Sequence, residues 1–301
     1  MAFNLAEIKK GQPQLSPRIL MIGQEGVGKS TWANHTEKPI FICAENGLVG
    51  PEFAETPNIT PASWGECLDI IKGLTESEHS YKTLVIDTLD WIEPLIYDFL
   101  CRRDNKANIE EYGYGKGYAL VAMEWRKFLS TVETLRTKKQ IGIVFLAHCQ
   151  IKPFANPIGE NYDRYETKIS KQMSALTREW VDATLFASFE VFTHRDGLKD
   201  KAKGIGTGQR IVHTNHSPAW DAKNRYGMPD KLPLDYDAIM DAIKTGKPES
   251  EENIIAEINQ IIAGDGFKDA DREAVKSAVE KRKGKVIELK QILNKVRAKA
   301  A

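Results

Sequence analysis

An eight-residue run, Gly23-Gln24-Glu25-Gly26-Val27-Gly28-Lys29-Ser30, follows directly on the apolar segment 19–22 and leads into the helix-compatible residues Thr31-Trp32-Ala33. A strand that turns through glycines into a helix is the context of a phosphate-binding loop. Gly23 and Gly28 allow backbone conformations that a side chain would obstruct, so successive N–H groups, with the helix start, can cradle phosphate oxygens. The spacing lets Lys29 reach β- and γ-phosphates and the Ser30 hydroxyl ligate Mg²⁺. The expected phosphate-binding set is therefore Gly23, Gln24, Glu25, Gly26, Val27, Gly28, Lys29, Ser30 and Thr31, with ATP and Mg²⁺ as ligands.

Three further apolar runs end in a chemically useful residue. Residues 39–44 read as a buried strand with Glu45 at its C-terminal end, where open parallel sheets bind ligands. A carboxylate there can orient water against a γ-phosphate, although a helix cap or turn acid has the same appearance. Residues 81–88 form a strand carrying Asp87, an aliphatic run plus Asp of the Walker B type, whose carboxylate would hold the water shell of Mg²⁺. Asp87 lies 57 residues after Ser30, in a strand-helix alternation. Residues 141–147 are a fourth strand, and His148 ends it on the ligand side, where an imidazole can bond the γ-phosphate and report hydrolysis. A histidine in that position can equally be a satisfied core residue.

Between these strands the composition changes character. Glu110-Glu111-Tyr112-Gly113-Tyr114-Gly115-Lys116-Gly117-Tyr118 combines mobile glycines, stacking faces and a cation, a mixture suited to single-stranded nucleic acid. A tight turn with tyrosines packed on the domain is the alternative. A helix is expected over 120–138, with Val121, Trp125, Phe128, Leu129, Val132 and Leu135 at helical spacing. Residues 150–171 read as a long loop bearing Lys152, Arg164, Lys168 and Lys171 among prolines and aromatics. Then come a helix over 174–180, a strand over 183–192, a glycine- and lysine-rich hairpin end over 194–210 and its return strand over 210–214. Lys223-Asn224-Arg225 sets two cations one residue apart, and 235–243 reads as the last helix of the main domain.

The domain plan that follows is an N-terminal segment 1–17, an α/β core 18–245 with a mostly parallel twisted sheet flanked by helices, a linker 246–250, and a helical C-terminal region 251–301. The last region reads as two amphipathic helices, 251–263 and 269–299, joined at Gly264-Asp265-Gly266. From Lys268 onward there are eleven Lys and Arg against five Asp and Glu, a basic surface that is either solvated or a nucleic-acid or partner contact.

Over the whole chain 42 basic and 42 acidic residues cancel, so polyanion binding must come from local patches. The apolar runs fall short of a membrane span, and the N-terminus has no secretory pattern, so a cytoplasmic protein is expected. Cys43, Cys67, Cys101 and Cys149 are too scattered for a zinc site or disulfide framework. Phe3-Asn4-Leu5-Ala6 is either an ordinary N-terminal apolar contact or the Phe-x-x-Ala pattern by which some recombinases dock on a neighbouring subunit.

Taken together, these motifs resemble the RecA-type core, and in particular phage-encoded RecA-like ATP-binding proteins of single-strand annealing. The resemblance spans roughly residues 17–234. The family's second strand ends in Asp-Ala-Glu-His-Ala-Leu, matched here by Cys43-Ala44-Glu45-Asn46-Gly47-Leu48, which implies that Glu45 activates water. His148 takes the place of the family's γ-phosphate-sensing glutamine. The resemblance also implies a first DNA loop at Tyr112, Tyr114, Lys116 and Tyr118, a second DNA loop at 150–171, and trans-acting cations Lys223 and Arg225 completing a neighbour's site. Phe53 is a candidate for stacking on adenine. The implied partners are single-stranded DNA, further copies of this chain in a ring or filament, and a single-strand-binding protein. The family's long N-terminal polymerisation helix has no counterpart, and the second loop departs from the RecA sequence. A hexameric replicative-helicase-type motor, a P-loop small-molecule kinase and a non-hydrolysing nucleotide switch are the competing readings.

Overall fold

A computed structural model describes residues 15–45, 47–194, 203–245, 251–264, 267–285, 288–289, 291–293 and 295–296. The Phe3–Ala6 pattern, Asn46 and the linker 246–250 lie outside these residues. The fold is a mixed α/β one with a mostly parallel sheet flanked by helices. Its contacts divide the chain into two compact units, one of 1–188 with 215–223, the other of 189–214 with 224–301.

In the first unit the strands are β1 (Arg18–Gly23), β2 (Pro39–Cys43), β3 (Asn58–Ile59), β4 (Thr83–Asp87), β5 (Gly142–Phe154), β6 (Tyr162–Thr167) and the first half of β7 (Ala183–His194). The sheet order is β7-β1-β5-β4-β2-β3, every pair parallel, with β6 antiparallel on the far half of β5. Parallel neighbours need crossovers, and the helices α1 (Lys29–Asn34), α2 (Trp64–Glu76), α3 (Leu89–Arg103), α4 (Lys116–Lys139) and α5 (Lys171–Trp180) lie between the strands. Both sheet faces are dry. Leu20, Ile22, Ile42, Leu84, Ile86, Ile143 and Phe145 join one cluster with α2, α3 and α4, while Ile19, Met21, Phe41, Val85, Val144 and Leu146 of the alternate positions are also buried. The strands therefore read as continuous apolar runs rather than as alternating ones.

Phe128 of α4 is fully buried and has ring contacts with Trp64, Trp125 and Phe145 at centroid distances of 5.8, 5.5 and 5.6 Å. Truncating it opens a cavity where three helix and sheet elements meet. Phe128→Ala is expected to lower stability by about 3–5 kcal/mol, read from the urea midpoint at unchanged m-value.

The second unit holds the rest of β7, then β8 (Lys203–His213), β10 (Lys231–Pro233), and the helices α6 (Tyr236–Thr245), α7 (Glu251–Ile262) and α8 (Asp269–Glu280); the two-residue β9 (Lys223–Asn224) straddles the unit boundary. β10 pairs antiparallel with β8. The C-terminal helices have a core of their own, with Ile254, Ile258, Ile262, Phe267, Val279, Leu289, Leu293 and Val296.

Several expected boundaries move. His148 does not end its strand: β5 runs six residues further and folds back as β6, so 150–171 is a hairpin and the start of α5 rather than a loop. The glycine-tyrosine segment is shorter than expected, because Ile109–Tyr112 is a 3-10 turn and α4 already begins at Lys116. The return strand β8 starts at Lys203, with 195–202 outside the described residues. The expected helix 269–299 breaks after Glu280 into turns at 281–284, where Gly284 has φ +82°, and helical residues recur from 288. Of the expected join 264–266, only Gly264 is described. Among the described residues no helix is long and apolar enough to cross a membrane.

Candidate active site

The phosphate loop hangs between β1 and α1. Gly23 closes β1 so tightly against β7 that a Cβ would lie 2.6 Å from the Ala187 carbonyl oxygen. Gly28 has φ +99° and Gly26 φ +71°, conformations that turn neighbouring N–H groups into one concavity. The six-residue α1 adds little dipole of its own, so this backbone nest is the principal anion cradle. The Lys29 ammonium donates to the carbonyl oxygens of Gly23 at 3.1 Å and Gln24 at 2.9 Å. An ammonium has three donors, so one remains for a phosphate oxygen. Burial lowers its pKa, against which Asp87 works to keep it charged.

At the end of β4, Asp87 is 4% exposed and its Oδ2 accepts a 2.7 Å hydrogen bond from Ser30 Oγ. Burial raises the Asp87 pKa, and the nearby Glu45 adds to the rise. A hydroxyl and a carboxylate converging on one point are hard oxygen donors that suit Mg²⁺. When bound there, Mg²⁺ supplies charge neutralisation for the β- and γ-phosphates. Ser30 and Asp87 are the residues that would hold it.

Glu45 follows β2, half-buried, and its N–H reaches the Asp87 carbonyl at 3.4 Å. Its Oε2 lies 3.9 Å from His148 Nδ1, too long for a hydrogen bond. His148 pairs in register with Gly23 on β1, so the histidine sits directly beside the first residue of the phosphate loop. Two acids that the sequence reading missed act here. Asp90, in the first turn of α3, accepts both the His148 N–H and Nδ1 at 2.8 Å each. Glu93, one turn on, is buried and accepts from Tyr97 Oη at 2.7 Å and from the Ser170 N–H at 2.8 Å. Their signal was available: charged residues within the stripe Leu89, Ile92, Ile96 and Leu100, whose members are all buried.

Lys168 belongs to the same site. Its N–H donates to the His148 carbonyl at 2.9 Å and its ammonium pairs with Glu25 of the phosphate loop. The pair raises the Lys168 pKa and lowers that of Glu25.

A model of the family described as the AAA domain matches residues 15–226, from just before β1 to just after β9. The chain belongs to this family. No curated protein matches it. As an AAA-domain protein it is a P-loop ATPase, and the match covers the phosphate loop, Glu45, Asp87, Asp90 and His148.

The remaining candidate residues of this AAA-domain chain are scattered. Phe53 is 8% exposed, so its ring faces are already covered. Tyr112 Oη lies within hydrogen-bond distance of Asp104 and of the Leu100 carbonyl, and Tyr118 donates to Glu110 while its ring meets Tyr97 edge-on. Tyr114, by contrast, is fully exposed, and Lys116 beside it is exposed too. On the hairpin, Arg164 is 7% exposed, lies over Phe154 and pairs with Asp221 at 2.6 Å, whereas Ile151, Lys152 and Ile158 are exposed. Lys171 is exposed at the start of α5. Lys223 donates to the carbonyl oxygens of Arg178, Glu179 and Val181 at 2.6, 3.1 and 2.7 Å, so its ammonium caps its own α5 rather than facing a neighbour. Arg225 is exposed.

Proposed function

We propose that this AAA-domain ATPase is an ATP-dependent, single-stranded-DNA-binding recombination or annealing protein of phage type, working in the cytoplasm as a homo-oligomer, ring or filament. The observation that carries the reading is the continuity of β5. One strand runs from His148, beside the phosphate loop, to Phe154 on a projecting hairpin, and the hairpin returns through Lys168 to Glu25. A change at the γ-phosphate that moves His148 or the Glu25–Lys168 pair therefore moves the hairpin, because paired strands shift together. The hairpin's exposed Ile151, Lys152 and Ile158, with Tyr114 before α4 and Lys116 at its start, offer apolar, stacking and phosphate contacts of the kind that bind single strands. Glu45 would align the attacking water, Lys29 and His148 would bond the γ-phosphate, and the exposed Arg225 would reach a neighbour's site. A single-strand-binding protein is the partner such an activity calls for.

The test is ATP turnover with and without single-stranded DNA, with light scattering on the same samples. Turnover that rises with DNA while particles grow supports the reading. Turnover indifferent to DNA in a monomeric particle refutes it. A Tyr114→Ala/Lys116→Ala/Lys152→Ala variant is expected to bind single strands about 10–100-fold more weakly. Its log-log salt slope should be shallower by about 1.4, because two phosphate contacts are gone. Arg164 and Tyr112 are left intact in that variant because both are tied into the fold.

A further inference from the structure

Asp90 spends both oxygens on one residue. Oδ1 accepts the main-chain N–H of His148 and Oδ2 meets the ring at Nδ1, each at 2.8 Å, across 58 residues of sequence. Both side chains are nearly dry, 8% and 10% exposed. The main-chain bond fixes the carboxylate relative to β5, and the second bond then fixes the ring, since χ rotation would break it. Although burial acts to raise the Asp90 pKa, its hydrogen bonds with His148 outweigh that effect and hold it below the ordinary carboxylate value. An ionised carboxylate is acceptor-only, so Nδ1 must carry the proton and Nε2 is the nitrogen that Asp90 leaves unengaged.

We infer that Asp90 is the positioning residue of His148, fixing the imidazole as the Nδ1–H form with Nε2 kept for a phosphate oxygen. A phosphate oxygen accepts and does not donate, so Nε2 bonds it only when the ring carries both protons. Asp90 then balances the charge of that imidazolium, as a carboxylate behind a catalytic histidine does. Other charges reach the ring from each neighbouring element: Glu45 after β2, Asp87 at the end of β4, Glu25 in the phosphate loop, and, through Asp90, Lys168 after β6. None of them makes the paired contact that Asp90 makes. The inference rests on the ATPase reading for its consequence, but the tautomer itself does not.

The experiment is on the full chain. Asp90→Asn keeps the shape and an acceptor for the His148 N–H, but presents an amide donor to Nδ1, which can then only accept, reversing the tautomer. Nitrogen-15 histidine spectra are expected to show His148 protonated at Nδ1 in the wild type and at Nε2 in Asp90→Asn. The Nε2–H of the variant can still donate to a phosphate oxygen, but an amide does not balance an imidazolium, so kcat should fall about 10–100-fold, the range for outer partners of a functional histidine, with KM for ATP changed less. In a His148→Gln background the same substitution should cost nothing further, which a merely structural role for Asp90 would not produce. A wild-type His148 that carries its proton on Nε2 and none on Nδ1 overturns the inference without any variant. So does an unchanged kcat in Asp90→Asn, or an equal loss in the His148→Gln background. Absence of wild-type ATP turnover would sink the proposed function instead, leaving the spectra to decide on Asp90.

Discussion

Lys29→Ala is expected to abolish nucleotide binding and to lower ATP turnover by at least about 100-fold, the scale on which a single charge-stabilising donor acts. The ammonium is held over the loop by the carbonyls of Gly23 and Gln24, so its position does not depend on the ligand to be set. Removing it leaves those carbonyls turned into a polar concavity and takes away the nearest cation opposing the buried Asp87 carboxylate. The Asp87 pKa, already raised by burial, then rises further, which weakens the oxygen pair meant for Mg²⁺. The loss therefore compounds: one phosphate contact directly, and part of the metal site through Asp87. Titration with a fluorescent ATP analogue and a phosphate-release assay check the two effects separately, and thermal unfolding of the variant establishes that the sheet survives. Turnover equal to the wild type would remove the site assignment built on this loop.

How much of this site the sequence discloses depends on the range of the interaction. The phosphate loop, β2 with Glu45 and β4 with Asp87 are local: each is a run of buried apolar residues ending in one polar group, and a parallel sheet covered on both faces makes such runs continuous. Their convergence follows from the sheet order, since β1, β5, β4 and β2 are neighbours and their C-terminal ends lie along one edge. The Asp90–His148 contact has no local signature, because its partners are 58 residues apart on a helix and a strand. The hairpin was hidden for a different reason. Pro153 interrupts the strand pattern, Pro157 marks a turn, and the polar residues of β6 read as a loop; yet Pro153 stands opposite Asp163, one pair from the turn that closes the hairpin, where a missing N–H is tolerated. The sequence pattern accordingly puts Lys168 in a DNA-facing loop, whereas strand pairing returns it to the phosphate loop. The tyrosines show the same limit. Spacing alone does not distinguish Tyr112, bonded to Asp104, from Tyr114, which is fully exposed two residues later.

Glu45→Gln is expected to keep nucleotide affinity while lowering hydrolysis by about 10²–10⁴-fold, the contribution of a general base. Three acids gather at the strand ends, and their environments separate their roles. Asp87 is buried and accepts from Ser30, which commits it to the metal side. Asp90 has both oxygens occupied by His148. The Glu45 carboxylate takes no hydrogen bond among the described residues, and at 33% side-chain exposure it remains reachable by water. A base needs an open lone pair and access to the nucleophile, so of the three Glu45 alone meets the requirement. Glutamine keeps the shape and removes the basicity, so binding and chemistry should part: the analogue titration unchanged, single-turnover phosphate release slowed, and the ATP-bound form long-lived enough to follow DNA binding in isolation from hydrolysis. If Glu45→Gln hydrolyses ATP at the wild-type rate, the water is activated elsewhere, and the resemblance that singled out this glutamate gives no guide to the mechanism. If instead hydrolysis stops while DNA binding and assembly continue, ATP binding rather than its cleavage drives the protein onto DNA, and cleavage serves its release.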